Sequence, residues 1–210
     1  MSTGRARERN KRGEGAQLRE EIVSAATRLL DAGTEQSVTL RAVAREAGIT
    51  APSIYSHFAD RDAILLAVTQ NGFAELELVL REASVGASAG ADPVERLRAV
   101  CTAYLEFAQC RPARYRILFG AAWDASQTVK RAPKLAPDLA VLGMDAFGIL
   151  QQSVADCVAA GRSASTDPMA DATALWVGLH GLAQLRVAAS LFPWPAGLQD
   201  TLVERLTLLR

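Results

Sequence analysis

Between Thr39 and Arg61 the sequence gathers side chains that could do chemistry on a partner. Thr39, Thr50, Ser53 and Ser56 carry short hydroxyls, Tyr55 carries a hydrogen-bonding ring, and Arg41 and Arg61 carry fixed positive charge. These are contact groups. Hydroxyls on short stems allow close approach, and together with cations they hydrogen-bond phosphate oxygens and base edges. Bond-breaking equipment is missing from the sequence: Cys157, His180 and nearby acids are the best raw material for an enzyme, yet no nucleophile stands at a base's spacing and no phosphate loop occurs. No catalytic residue is therefore assigned. Each contact residue also has a plainer reading. Thr39 and Thr50 stand where helices begin and would cap them, with any phosphate contact additional. Arg41 is also an ordinary exposed arginine. Arg61 stands in the first turn of a helix, where a cation opposes the dipole at a cost of a few tenths of a kcal/mol. That placement suits a residue set out for a polyanion, or for an ion pair with Asp60 or Asp62.

The elements that hold these residues read as helices throughout. Apolar residues recur at helical spacing, and no segment sustains a period of two. Helix 1 is expected over residues 17–31 with Ile22, Ala25, Ala26 and Leu29 inward, stopped by Gly33. Helix 2 follows Thr39 and buries Leu40, Val43, Ala44 and Ala47. The turn Ala47-Gly48-Ile49-Thr50 puts glycine where a left-handed residue is needed and a polar cap where helix 3 begins, with Ile49 as an anchor. Ile54 and Phe58 point inward four residues apart, leaving Ala51, Ser53, Tyr55 and Ser56 on the outer side. Two short helices joined this way form a helix-turn-helix. Asp60 caps a long helix over 61–83. Further helices are expected over 92–109, 112–123, 138–160, 167–191 and 198–209, with the longest irregular segment at 124–137.

Composition narrows the class. Lys plus Arg equals Asp plus Glu at 23 each, but residues 1–12 hold Arg5, Arg7, Arg9, Lys11 and Arg12 against Glu8 alone, so the neutral average hides a basic arm. Cys101, Cys110 and Cys157 form no metal-ligand pattern, and no metal or cofactor is expected. The polar N-terminus does not read as a secretory signal. The run 172–185 is too short to span a bilayer comfortably and carries His180 and Gln184. The expectation is a cytoplasmic protein with no membrane partner.

Gly33, Val38-Thr39-Leu40-Arg41, Val43-Ala44, Ala47-Gly48-Ile49-Thr50, Ser53-Ile54-Tyr55, His57-Phe58, Arg61-Asp62 and Leu65 together resemble the DNA-binding domain of the TetR family of bacterial regulators. Tyr55-Ser56-His57-Phe58 is the most characteristic step. The resemblance implies an all-helical, dimeric and usually ligand-responsive protein, with Tyr55 and His57 on phosphates; a Tyr55 ring half-buried on helix 1 is the alternative. Two departures stand out. Ala51-Pro52 opens helix 3 where many members have glycine or another small residue, so its first turn can sit differently. Arg61 replaces the usual lysine, a planar fork in place of a point charge. Trp176, His180 and Gly181 resemble the Trp-His-Gly signature of one C-terminal subclass.

The fold expected is all-α: an N-terminal three-helix helix-turn-helix domain (16–62) after a flexible basic arm (1–15), then a C-terminal helical ligand-binding and dimerisation domain (63–210). DNA contacts are expected from Thr39, Arg41, Thr50, Ala51, Pro52, Ser53, Tyr55, Ser56, His57 and Arg61, on a near-palindromic double-stranded operator. The family implies a pocket for a small apolar effector, with Tyr104, Phe107, Phe119, Trp123, Met144, Phe147, Trp176 and His180 as its candidates; plain core is their other reading. His180 could equally be a hydrogen-bonded core or interface histidine. The last two helices, with Gly178 and Gly181 one turn apart, would form a homodimer, although tight packing inside one chain would use the same glycines. The expected function is a repressor released by its effector. The alternative is a regulator of the same fold that has no effector.

Overall fold

Ile22, Val23, Ala25, Ala26 and Leu30 lie on one stripe of the first helix and are all buried, as a 3.6-residue period requires of an amphipathic helix. The computed structural model describes residues 14–86, 92–119, 130 and 139–210, so the basic residues 1–12 and Trp123 lie outside the described residues. Among the described residues there are nine α-helices, one 3-10 turn and no strand. They are α1 (Glu14–Ala32), the 3-10 turn (Glu35–Ser37), α2 (Leu40–Glu46), α3 (Ala51–Ile54), α4 (Arg61–Gly86), α5 (Pro93–Cys110), α6 (Pro112–Phe119), α7 (Met144–Ala159), α8 (Pro168–Ala188) and α9 (Leu198–Leu206). The chain forms two compact units divided between Thr69 and Gln70, within α4.

In the first unit α1 packs on α2, and α2 on α3. The core is closed by Val38, Val43, Ala44, Ile54, Phe58 and Leu65. Arg28 of α1 ties to Glu46 of α2 at 2.7 Å, and the Arg19 guanidinium lies 4.8 Å over the Phe58 ring. In the second unit α5 packs against α6, α7, α8 and α9, and α8 against α7 and α9. Asp92 starts α5 by accepting from the Val94 N–H at 3.0 Å, with Pro93 in the first turn. The buried positions of α5 then recur at helical spacing: Val94, Leu97, Cys101, Tyr104 and Ala108. Asp167 caps α8 through the Ala170 N–H at 3.0 Å.

Several helix ends differ from the sequence expectation, each for a local reason. Residues 138–160 do not form one unbroken helix: α7 begins at Met144 because Gly143 takes φ +82°, a left-handed conformation that interrupts the ladder. The next helix stops at Ala188, not near Leu191, and the Trp194 indole N–H donates to the freed Ala189 carbonyl at 3.1 Å. The last helix stops at Leu206. Beyond it the chain turns at Leu208 (φ 51°) and runs antiparallel to residues 162–164, with the Ala164 N–H donating to Leu208 and the Arg210 N–H to Arg162, each at 2.9 Å. At the other extreme, α4 continues to Gly86 and is long and apolar enough to cross a membrane by length and composition. Ile64, Leu65, Val68, Leu76 and Leu80 of that helix are buried in the protein.

Candidate nucleic-acid interface and candidate effector cavity

The helix-turn-helix is assembled by short-range bonds. Thr39 Oγ1 accepts from the Ala42 N–H at 3.2 Å and caps α2. At the other end Gly48 takes φ +68°, and the Ile49 N–H returns to the Ala44 carbonyl at 2.9 Å, which closes the helix as a left-handed C-cap does. Thr50 stands at the cap position of α3 but makes no side-chain cap bond. Its hydroxyl instead meets Ser53 Oγ at 2.7 Å, a correction to the sequence expectation. The regular part of α3 is four residues long. It continues as tight turns in which the His57 and Phe58 N–H groups both donate to the Ile54 carbonyl, at 2.8 and 2.9 Å. Ile54 is fully buried and pins this segment to the core.

Seating Ile54 and Phe58 inward turns the rest outward. Tyr55 is 61% exposed, so the half-buried alternative for its ring is not what the structure has. Ser56 is exposed with its hydroxyl donating to the Ser53 carbonyl at 2.8 Å. Pro52, Thr50, Thr39 and Arg41 are exposed; Ala51, Ser53 and His57 are intermediate. Ile49 is intermediate as well, a partial anchor only.

Arg61 is the residue whose surroundings the sequence did not foresee. Its Nε donates to the Val38 carbonyl at 2.7 Å and its Nη2 to the Glu35 carbonyl at 2.5 Å. The guanidinium fork thus clasps the 3-10 turn and the entry to α2, and the side chain is half-buried. Two of its nitrogens are therefore engaged by backbone, which neither the phosphate contact nor the surface ion pair anticipated. The signal was the lysine-to-arginine departure itself, because a planar fork presents several N–H groups in fixed directions and so suits two separate carbonyls.

The second unit contains an apolar cavity of about 390 Å³, within the range of small-molecule sites. Its wall takes Tyr104, Phe119, Met144, Phe147 and Trp176 from the expected set. Phe107 is in the packed core with the Arg111 guanidinium 5.3 Å from its ring, and it is not on the wall. His180 is off the wall too and reaches it through other residues. Phe73, Leu76 and Leu80 of α4, Leu142, Gly143 and Met169 were not anticipated as lining. At helical spacing they read as ordinary core, and only folding brings them together. No charged side chain is among the described lining residues.

Phe119 sits at the centre of the aromatic cluster, edge-on to Phe73 at 5.5 Å and to His180 at 5.0 Å, and tilted against Tyr115 at 5.0 Å and Trp176 at 6.2 Å. A polar chain runs back from this surface, beginning at Tyr104 on the wall. The Tyr104 and Tyr115 hydroxyls lie 2.9 Å apart, and the Tyr115 hydroxyl is 2.7 Å from His180 Nδ1. Burial pushes the Tyr104 hydroxyl up to about 12 and raises Tyr115 further, so both remain protonated phenols. Burial also lowers the His180 pKa, favouring the neutral ring. The His180 ring lies between the other two, tilted against Tyr115 at 5.6 Å and against Trp176 at 6.1 Å.

The glycines of α8 have separate surroundings. A Cβ on Gly178 would come within 2.9 Å of Leu206, so α9 packs closely there within the chain. Gly181 has nothing within 4 Å of such a Cβ.

A helix-turn-helix with a hydroxyl-rich outer segment, followed by a helical unit with a half-open apolar cavity, is the arrangement of a DNA-binding regulator. Residues 22–68 match the family described as bacterial regulatory proteins, tetR family, and residues 97–208 match the tetracyclin repressor-like C-terminal domain. The chain belongs to the TetR family and is a DNA-binding transcriptional regulator. Its structure is similar to that of a protein of unknown function from Rhodococcus sp. RHA1 (25% identity, TM-score 0.73, covering 92% of this chain and 95% of that one). It is also similar to the fatty acid degradation regulator FadR from Bacillus halodurans (14%, 0.65, 95% and 97%) and to a TetR family transcription regulator from Marinobacter aquaeolei VT8 (17%, 0.61, 94% and 97%). At these last two identities the likeness is one of fold. No curated protein matches the chain.

Proposed function

We propose that the chain is a homodimeric repressor that leaves its operator when a small apolar molecule enters the cavity of the second unit. The observation that carries this reading is the cavity itself, a half-open apolar space of about 390 Å³ whose size and lining suit a small molecule. An effector that binds one state of the protein better than the other shifts the population between them, and its differential affinity sets how far. DNA is read by the outer side of the segment 50–57, with Tyr55, Ser53 and Ser56 nearest to base edges and phosphates, and by Thr39 and Arg41 at the start of α2.

The dimer forms through α8 and α9. Val177, Leu185 and Val187 on α8, and Leu191 and Phe192 just beyond it, are large apolar side chains at least half exposed. A cluster of this kind on a soluble chain marks a contact surface, and open Gly181 lets a second helix come near. Two copies related by a two-fold axis would place their reading segments in successive major grooves, about 34 Å apart. In this reading the protein works in the cytoplasm and acts by binding alone.

Selection from random duplexes by the purified protein, followed by sequencing, tests it. The expected product is an inverted repeat with half-sites about one helical turn apart, bound by a species of twice the chain mass in light scattering. An unrepeated site, or a monomer at micromolar concentration, would sink the dimeric reading.

A further inference from the structure

Resting on the effector reading, we infer that the cavity takes an uncharged molecule carrying a single oxygen function, and that the Tyr104–Tyr115–His180 chain reads that oxygen. Three observations carry it. First, the described wall is apolar and aromatic and holds no charged side chain. A carboxylate or ammonium seated against this wall would give up hydration with no counter-charge from these residues, which disfavours it relative to a neutral group of the same shape. Second, Tyr104 and Thr173 bring the only hydroxyls among the described lining residues. The Thr173 hydroxyl already donates to the Met169 carbonyl at 2.8 Å within its own helix. Tyr104 is different, because its hydroxyl is the first member of a buried chain that continues to Tyr115 and His180.

Third, that chain is reversible. With the His180 proton on Nε2, Nδ1 accepts from Tyr115, Tyr115 accepts from Tyr104, and Tyr104 offers the ligand an acceptor. With the proton on Nδ1 both bonds reverse, and Tyr104 offers a donor. A neutral imidazole has both tautomers at small cost. The chain can thus satisfy a ligand hydroxyl in one sense and a carbonyl in the other without moving a heavy atom. The Trp-His-Gly step of α8 acquires a role here: His180 acts through Tyr115 as a positioning residue and does not itself line the cavity.

Equilibrium dialysis of the full chain against three probes of one shape tests the inference: 2-naphthol, 2-methylnaphthalene and 2-naphthoate. The expected result is 2-naphthol bound about fivefold more tightly than 2-methylnaphthalene, the worth of one neutral hydrogen bond, and 2-naphthoate weaker by at least about a hundredfold. Tyr104→Phe keeps the ring on the wall and should bring the naphthol-to-methylnaphthalene ratio to about one. Tyr115→Phe leaves Tyr104 in place but cuts the chain, and should lower the same ratio, which a purely structural role would not move. Equal affinities in the unmodified protein, or a ratio unaffected by either substitution, would overturn the polar reading while leaving an apolar effector site standing. Naphthoate binding as tightly as naphthol would overturn the neutral class. If none of the three binds, this inference is overturned, whereas the effector reading falls only if no apolar molecule releases the chain from its selected operator.

Discussion

The two units solve opposite problems with the same kind of element. The first unit spends its core, including Ile22, Val43, Ile54 and Phe58, on turning a few polar residues outward, and its site is one short stretch of chain. The second turns aromatic rings inward around empty space, and its site draws on α4, α5, α6, α7 and α8. A site made from contiguous residues depends on caps and turns. A site made from five helices depends on how each of them packs, so single residues far apart in sequence control it.

The largest expected effects separate the two. Ile54→Ala removes a fully buried side chain that seats α3, at about 2–5 kcal/mol. Operator binding should fall at least tenfold in gel-shift titration while 2-naphthol still binds. Gly143→Val should do the reverse. Gly143 holds φ +82°, and a Cβ there would lie 2.6 Å from the Phe73 ring. A branched residue in that conformation costs about 1–2 kcal/mol in backbone strain, and relief comes by pushing Phe73 into the cavity. Probe binding should be lost and operator binding retained. A single one of these substitutions that abolishes both activities would break the comparison.

A middle-sized effect concerns how the reading segment is held. Arg61→Ala removes two charge-assisted bonds to the Val38 and Glu35 carbonyls, worth about 1–3 kcal/mol together in a half-buried setting. It should lower the melting temperature and weaken all operators alike, with the dependence of log K on log salt unchanged. Arg41→Ala, which removes an exposed cation, should instead reduce that slope by about 0.9 for each phosphate that is no longer neutralised, and leave melting nearly as it was. A reduced slope for Arg61→Ala would return that residue to the phosphate backbone.

The same contrast explains what could be read from the sequence. Thr39, Gly48, Ile54 and Phe58 act over short stretches of chain, and their spacing alone gave the turn, the cap and the buried face. The cavity was half legible. Phe119, Met144, Phe147 and Trp176 stood out as large side chains, whereas Phe73, Leu76, Leu80 and Met169 line it because distant helices meet there, which periodicity does not record. Phe107 has the same composition signal as Phe119 and faces the packed core, since one turn of helix decides between wall and interior. Gly178 and Gly181 looked equivalent in sequence. Only the docking of Leu206 against the first distinguishes them. Arg61 was legible as a cation but not in its partners, which are carbonyls 23 and 26 residues away.

The smallest expected effect is the dependence of stability on pH, and it is specific to the second unit's polar chain. Burial lowers the His180 pKa from its ordinary value near 6.5. The folded protein therefore binds its proton less readily than the unfolded chain does. Between the lowered folded value and about 6.5 the unfolded state carries more protons, so stability rises with pH across that window. The stabilising contribution is fully present above about 6.5 and is lost as pH falls through the folded value. Protonation would also place two donors on the ring and leave Nδ1 able only to donate to Tyr115, which fixes the chain in one sense. Denaturant midpoints measured at pH 7.5 and 5.5 should therefore drop more for the native chain than for His180→Gln, in which an uncharged amide can still meet the Tyr115 hydroxyl. Equal drops for the native chain and His180→Gln would mean that His180 is not the group responsible.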